Sequence, residues 1–259
     1  MSTEAIPPDL DIIVPVYNES DNIIPFLLSL KHTIKQTSFR VLICYDFEED
    51  TTLLAIENNR EQLTRLNISY VRNQGRGPHS AVLSGFKAAK AQAILVMPAD
   101  DCQNASIIEE MVGKLKRGAY IVCASRLMRG GSMRHCPLLK SILVRSANYS
   151  LYYLARLPTH DATNGFRLFS KALLDQVEIE SKFGFTYSIE LLVKCHRLGK
   201  PIVEIPAHWI ERDKGKSRFK LLRWLVPYLR WYGYAFYTSY IQGTFSKIFD
   251  RNGQDEKNF

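Results

Sequence analysis

Asp100 and Asp101 are adjacent carboxylates that follow directly on the apolar run "AILVM" of residues 93–97. Carboxylates leaving a buried segment sit in water, cap the next helix or hold a cation. Hard divalent cations such as Mg²⁺ and Mn²⁺ take oxygen ligands and commonly bridge one or two carboxylates to substrate phosphates. Consecutive strand residues point to opposite faces, so both side chains reach one ion only if the chain turns here. The residues therefore predict Asp100 as direct ligand and Asp101 as an outer or water-mediated partner.

Further groups suited to chemistry punctuate the chain. In "VPVYNESDNI" (14–23) a nucleotide base can stack on Tyr17, and the helix start after Asn18 and Glu19 suits an anion. "CYDFEEDTT" (44–52) offers Asp46 to a base or ribose, while Glu49 and Asp50 read as helix-start charges. "NQGRGPHSAVLSGF" (73–86) is similar to a phosphate-binding glycine loop around Gly75, but it lacks the spacing of a P-loop or a dinucleotide fingerprint. "HDATNGFRLFS" (160–170) crowds polar residues before an apolar strand. "ERDKGKSRF" (211–219) is a basic loop with a central glycine, able to close over a diphosphate and neutralise a leaving group.

The elements that must carry these groups alternate. Apolar strands are expected at 10–16, 39–46, 67–73, 93–97 and 120–125. Helices fall between them: one capped by Ser20 or Asp21, one over 50–66, one after the glycine turn, and one from Asn104 to Gly118. Such alternation implies a mainly parallel sheet covered on both faces, with ligands beyond the carboxyl ends of its strands. Asp46, Asp100 and Arg126 all fall at such ends. Later, a long amphipathic helix is expected over 137–157, then a short strand, a helix and an alternating strand at "PIVEIPAHWIE". The expected division is a tail at 1–8, one domain at 9–219, basic and aromatic helices at 220–249 and a polar tail at 250–259.

Bulk properties narrow the class. With 259 residues, 46% hydrophobic and 23% charged, the chain is an ordinary globular protein. Its five scattered cysteines form no CxxC pair, which points to a reducing compartment and away from zinc or disulfides. The first ten residues have neither a basic start nor an apolar stretch, so no secretory signal is expected. The net charge of +8 gathers at 126–145 and 211–230. Basic clusters attract phosphate, and the aromatic interleaving of the second suits a membrane surface better than nucleic acid, for which no known module is present. The uncharged stretch between Arg230 and Lys247 is too short to span a bilayer, which takes ~20 apolar residues. An interfacial helix pair, packing on the domain, or a homo-oligomer contact remain as readings of this tail. The expected location is cytoplasmic, peripheral to a membrane face.

Taken in order, "IIVPVYNESDNI", "GFKAAKAQAILVMPADD", "DATNGFRLFSK" and "FTYSIELLVKCHRLGKPIVEIPAHWIERDKGKSRF" resemble the family 2 glycosyltransferases, in the dolichol- and polyprenol-phosphate mannose synthase branch, over about residues 9–235. The resemblance implies an α/β nucleotide-binding fold of the GT-A type. It also implies transfer of a sugar from a GDP- or UDP-linked donor to a polyprenyl phosphate acceptor, with Mg²⁺ or Mn²⁺ on the donor diphosphate. By the same resemblance Pro15, Tyr17, Asn18, Glu19 and Asp46 would surround the nucleotide. Asp100 takes the place of the second aspartate of the D-x-D metal motif, Arg126 matches an arginine used near phosphate, and Gly215, Lys216, Ser217 and Arg218 match a loop that closes over the donor.

The chain departs from that pattern in three places. Pro98-Ala99-Asp100 stands where D-x-D is usual, so Asp101 must replace the first aspartate if both ligands are kept. The second-strand motif reads Tyr45-Asp46-Phe47-Glu48-Glu49-Asp50-Thr51-Thr52, and only an aromatic tail follows the domain. Arg126, Arg134, Lys140 and Arg145 are candidates for the acceptor phosphate, and Arg167 reads as structural. An ionised lipid phosphate needs no dedicated base, whereas a hydroxyl acceptor would need one, for which Asp161 is the candidate. A non-catalytic nucleotide-sugar binder is the remaining alternative.

Overall fold

The structure, a computed structural model, describes residues 7–210 and 221–242. The alternating segments form strands β1 (Leu10–Pro15), β2 (Phe39–Tyr45), β3 (Ile68–Arg72), β4 (Ala93–Val96) and β5 (Ile121–Ser125). Between them run helices α1 (Ser20–Thr33), α2 (Thr51–Asn58), α3 (Gly77–Ala88) and α4 (Ile108–Lys116). There follow β6 (Ser132–Arg134), α5 (Leu138–Tyr153), β7 (Arg167–Ser170), α6 (Lys171–Gln176), α7 (Thr186–Arg197), β8 (Ile202–Pro206), β9 (His208–Ile210) and α8 (Leu221–Tyr237).

Seven strands make one sheet in the order β3-β2-β1-β4-β7-β5-β8. All neighbours are parallel except β7, which lies antiparallel between β4 and β5, with Leu168 opposite both Leu95 and Val122. β6 and β9 form a separate parallel pair. Strand residues alternate between two cores, as a pleated sheet covered on both faces requires. Ile12, Val14, Val41, Ile43 and Leu95 meet Phe26, Leu27 and Leu30 of α1 and Met111 and Val112 of α4. Ile13, Leu42, Cys44, Ile94 and Val96 join the opposite core, with Val82 of α3, Leu151 of α5, Tyr187 and Leu191 of α7, and Trp231 and Ala235 of α8.

Three helix expectations are corrected. Neither Ser20 nor Asp21 caps α1: the helix begins at Ser20 without a side-chain cap, and Glu19 instead accepts from Asn22 Nδ2 at 2.6 Å. The helix expected over 50–66 stops at Asn58, where Asn59 turns its amide back onto the Ala55 carbonyl at 2.9 Å and competes with the helical ladder. The segment from Asn104 opens as a 3-10 turn over Gln103–Ile107 before α4 begins. The expected strand at 201–211 is broken at Ala207, so that β8 serves the large sheet and β9 pairs with β6.

Candidate active site

One side of the strand-end rim is built from the turns after β1 and β2. Asn18 adopts a left-handed backbone (φ 53°), which asparagine tolerates better than most residues. Its N–H is held by both oxygens of Asp50, at 3.0 and 3.1 Å, and the Glu19 N–H donates to Thr52 Oγ1 at 2.9 Å. Asp50 also caps α2 by accepting from the Thr52 N–H at 2.9 Å. The residue read as a helix-start charge therefore fixes the Pro15–Glu19 turn as well. Tyr17 is 49% exposed and stands edge-on to Phe47, with ring centroids 5.5 Å apart, so an aromatic face is presented beside the strand ends.

Asp46 is committed to the neighbouring loop. One oxygen accepts from Asn73 Nδ2 at 2.6 Å and the other from the Gly77 N–H at 2.9 Å. Asn73 Oδ1 in turn accepts from the Gly75 N–H at 3.0 Å. A Cβ on Gly75 would lie 2.3 Å from Ser80 Oγ, so a larger residue there would require that hydroxyl to turn away. Asp46 and Gly75 thus belong to one hydrogen-bonded unit at the mouth of the sheet.

Past β4 the chain turns, with the Asp101 N–H donating to the Pro98 carbonyl at 3.2 Å. The Asp101 carboxylate accepts from Asn104, from its N–H at 3.2 Å and from Nδ2 at 2.7 and 2.9 Å. Asn104 also exchanges hydrogen bonds with the backbone of His208, at 2.7 and 2.9 Å, which ties this turn to β9. Burial pushes the Asp101 carboxyl up to about 6 against the pull of Asn104, and the charge of Asp100 adds to the rise. Among the described residues no group of three or more His, Cys, Asp or Glu side chains is disposed to hold a metal ion. A donor set of one protein carboxylate from partly buried Asp100, completed by diphosphate oxygens and water, still suits a hard cation.

On the other side of the rim, Arg126 follows β5 and is gripped by Asp161. Nε and a terminal nitrogen donate to the two carboxylate oxygens at 2.7 and 2.9 Å, and the Arg126 N–H adds a bond of 3.0 Å. The Asp161 side chain is fully buried. Burial alone would raise its pKa, but the charge and hydrogen bonds of Arg126 outweigh that and leave it below the usual carboxylate value. A carboxylate so occupied is a poor proton acceptor. A Cβ on Gly131 would lie 2.4 Å from the Ser125 carbonyl oxygen and 2.8 Å from the Arg126 carbonyl carbon, so the turn carrying Arg126 closes only over glycine.

The acceptor-side candidates are spread along β6 and α5. Arg134 is exposed, Lys140 lies over the Trp209 ring at 4.5 Å, and Arg145 Nε donates to Ser141 Oγ at 3.3 Å. The same helix exposes Leu138, Leu139, Ile142 and Leu143, each at 45% or more. Arg167 is fully buried and donates to the carbonyls of Ser188 and Asp161 at 2.8 and 3.0 Å, a bracing position. Gly215, Lys216, Ser217 and Arg218 lie outside the described residues. The described part of α8 buries Trp231 and Ala235 against α7, and among the described residues no helix is long and apolar enough to cross a membrane.

Sequence reasoning missed Asn148, Thr163 and the Asn104–His208 tie. Asn148 had a signal: an asparagine within an otherwise helix-forming run is a poor helix former and needs a reason to be there.

Comparison with known proteins bears on the fold and the family. A dolichol-phosphate mannosyltransferase of Pyrococcus furiosus is 26% identical over 237 residues, covering 86% of this chain and 64% of that protein. The chain thus spans just under two thirds of that relative's length. A polyprenol monophosphomannose synthase of Mycolicibacterium smegmatis is 27% identical over 214 residues, covering 80% of this chain and 79% of the relative. Among solved structures, glucosyl-3-phosphoglycerate synthase of Mycobacterium tuberculosis, crystallised with Mn²⁺, UDP and glucosyl-3-phosphoglycerate, superposes with a TM-score of 0.63 at 16% identity, covering 90% of this chain and 80% of that one. This likeness establishes a GT-A-like fold. With residues 11–178 matching the family model described as Glycosyl transferase family 2, the chain belongs to that family.

Proposed function

We propose that the protein transfers a sugar, with inversion, from a GDP- or UDP-linked donor to a polyprenyl phosphate at a membrane surface. The carrying observation is α5: a helix beside the strand-end rim that places Lys140 and Arg145 next to exposed Leu138, Leu139, Ile142 and Leu143. A soluble acceptor has no use for such a combination, whereas a phosphate on an apolar chain calls for both parts. The two lipid-phosphate relatives support the same reading.

On this reading the base stacks on the exposed face of Tyr17, which Phe47 backs edge-on, and the turn held by Asp50 with the loop held by Asp46 shapes the nucleotide pocket. Asp100 would hold a divalent cation, Mg²⁺ or Mn²⁺, which when bound would supply positive charge to the donor diphosphate; the mycobacterial neighbour was crystallised with Mn²⁺. Asp101 fixes the turn that presents Asp100. Arg126 contributes charge to the phosphate being aligned, and Asp161 serves to hold it. The acceptor phosphate, with a second pKa near ~6, is largely dianionic at neutral pH and attacks the anomeric carbon without a protein base. As the new C–O bond forms, the bond to the diphosphate breaks on the opposite side and the nucleoside diphosphate leaves. The chain's own contribution is alignment and charge. Gly215, Lys216, Ser217 and Arg218 are proposed to close over the donor.

The test is incubation with radiolabelled GDP-mannose, UDP-glucose or UDP-N-acetylglucosamine, Mn²⁺ and polyprenyl phosphate in vesicles. Label in a mild-acid-labile lipid supports the proposal. Label only in water-soluble product when 3-phosphoglycerate or a glycan replaces the lipid overturns it, as does no transfer from any donor.

A further inference from the structure

α5 reaches the acceptor-side rim through one buried polar side chain. Asn148 is 0% exposed, and its Oδ1 accepts from the Ala162 N–H at 2.7 Å. Its Nδ2 donates to the Val144 carbonyl of its own helix at 2.9 Å and to Thr163 Oγ1 at 2.8 Å. Thr163 Oγ1 also accepts from a terminal nitrogen of Arg126 at 3.2 Å and donates to Asp161 Oδ1 at 3.3 Å. Asp161 completes the circuit by its forked pairing with Arg126.

The polarity of this circuit is forced. A hydroxyl has one proton and two lone pairs, and all are used: the proton toward Asp161, the lone pairs toward Arg126 and Asn148. The amide of Asn148 cannot be reversed, because its oxygen faces a backbone N–H. Thr163 therefore sits between α5 and the guanidinium, and any shift of the helix is passed to Arg126.

We infer that Asn148 is a positioning residue that aligns Arg126 with the acceptor-bearing helix α5, acting through Thr163. The inference deepens the proposed function and rests on its assignment of Arg126 and α5 to a phosphate acceptor. It makes the register between the helix that receives the acceptor and the arginine that meets its phosphate a property of two uncharged side chains.

The experiment follows the Nε–H signal of Arg126 by NMR in protein labelled with ¹⁵N-arginine, assigned by its loss in Arg126→Lys. Asn148→Ala and Thr163→Val are expected to speed exchange of this proton by about tenfold or more, while amides of β4 and β7 keep their protection. Thr163→Ser, which keeps the hydroxyl, is expected to stay within about twofold of the parent. In parallel, Asn148→Ala should lower kcat/KM for polyprenyl phosphate about tenfold and leave the affinity for nucleoside diphosphate with Mn²⁺ within about twofold. Should Asn148→Ala unfold, Thr163→Val against Thr163→Ser carries the same contrast. An unchanged Arg126 signal in either disruptive variant overturns the inference, and so does a loss of donor affinity equal to the loss of acceptor turnover. If the parent protein transfers no sugar to polyprenyl phosphate, the proposed function fails while the NMR contrast still decides whether Asn148 positions Arg126.

Discussion

Arg126 and Asp161 meet as a fork, with Nε 2.7 Å from one carboxylate oxygen and a terminal nitrogen 2.9 Å from the other. Breaking a buried pair by removing one partner's charge costs about 3–5 kcal/mol, and an amide in place of the carboxylate would recover part of that through its remaining acceptor oxygen. Asp161→Asn is therefore expected to lower the melting temperature and to reduce turnover about tenfold, by loosening Arg126. Loss of a general base would cost roughly 10²–10⁴-fold, so the kinetic size of the defect separates the two roles. The sign of the pH dependence follows from the lowered folded pKa of Asp161. Its stabilisation is complete above the unfolded carboxylate value of about 4 and is lost as pH falls through the folded value. The gap in melting temperature between parent and variant should close in acid, measured by calorimetry from neutral pH downward.

Asp100 and Asp101 should part company under mutation. Asp100→Ala is expected to abolish the stimulation of nucleoside diphosphate binding by Mn²⁺. Asp101→Asn, which keeps an acceptor for Asn104, should weaken that binding only about tenfold, as outer partners of a metal typically do. Isothermal titration with and without Mn²⁺ reads both. Equal stimulation in Asp100→Ala and the parent would remove Asp100 from the cation site.

Asp50 is 1% exposed and serves two backbones at once. Asp50→Ala loses a helix cap of about 1 kcal/mol and leaves the Asn18 N–H without its partner, which costs about 1–3 kcal/mol more. The expected fall in melting temperature is roughly 5–10 °C. Donor KM should rise with little change in acceptor KM, because the freed turn is the one proposed to hold the nucleotide.

Gly131→Ala forces a methyl against the carbonyls of Ser125 and Arg126. Backbone cannot yield there as a side-chain tip would, so the turn must open and carry Arg126 with it. The variant should fold, lose about 1–3 kcal/mol by urea unfolding, and lose acceptor turnover out of proportion to that change. Retention of full activity would show that the turn relaxes away from Arg126.

Much of this site could be read before the fold was seen, for a physical reason. In a parallel sheet the strand ends gather on one edge, so Asp46, Asp100 and Arg126 can be placed along the same rim once the alternation of apolar runs is recognised. Partners that act across the chain were not legible. Asp50 looks like a local helix cap, and nothing near residue 50 announces that it also holds Asn18. Asp161 looks like a solvent-facing acid until Arg126, 35 residues earlier, is placed beside it. The direction of β7 was hidden too, because a buried strand of four residues has the same alternation whichever way it runs. β6 was lost inside a stretch whose arginines drew attention to charge rather than to pairing.

The reversed strand β7 also bears on how the chain assembles. Residues 93–96 and 121–125 are made well before residues 167–170, yet in the finished sheet they touch only through that late arrival. Until it inserts, β4 and β5 each present an open edge lined by Ile94, Leu95, Val122 and Cys123, the kind of apolar ladder that pairs with other chains. A nascent or truncated polypeptide ending before Arg167 is thus adhesive along both seams that β7 later zips shut, and along the outer edge of β5 that β8 covers later still.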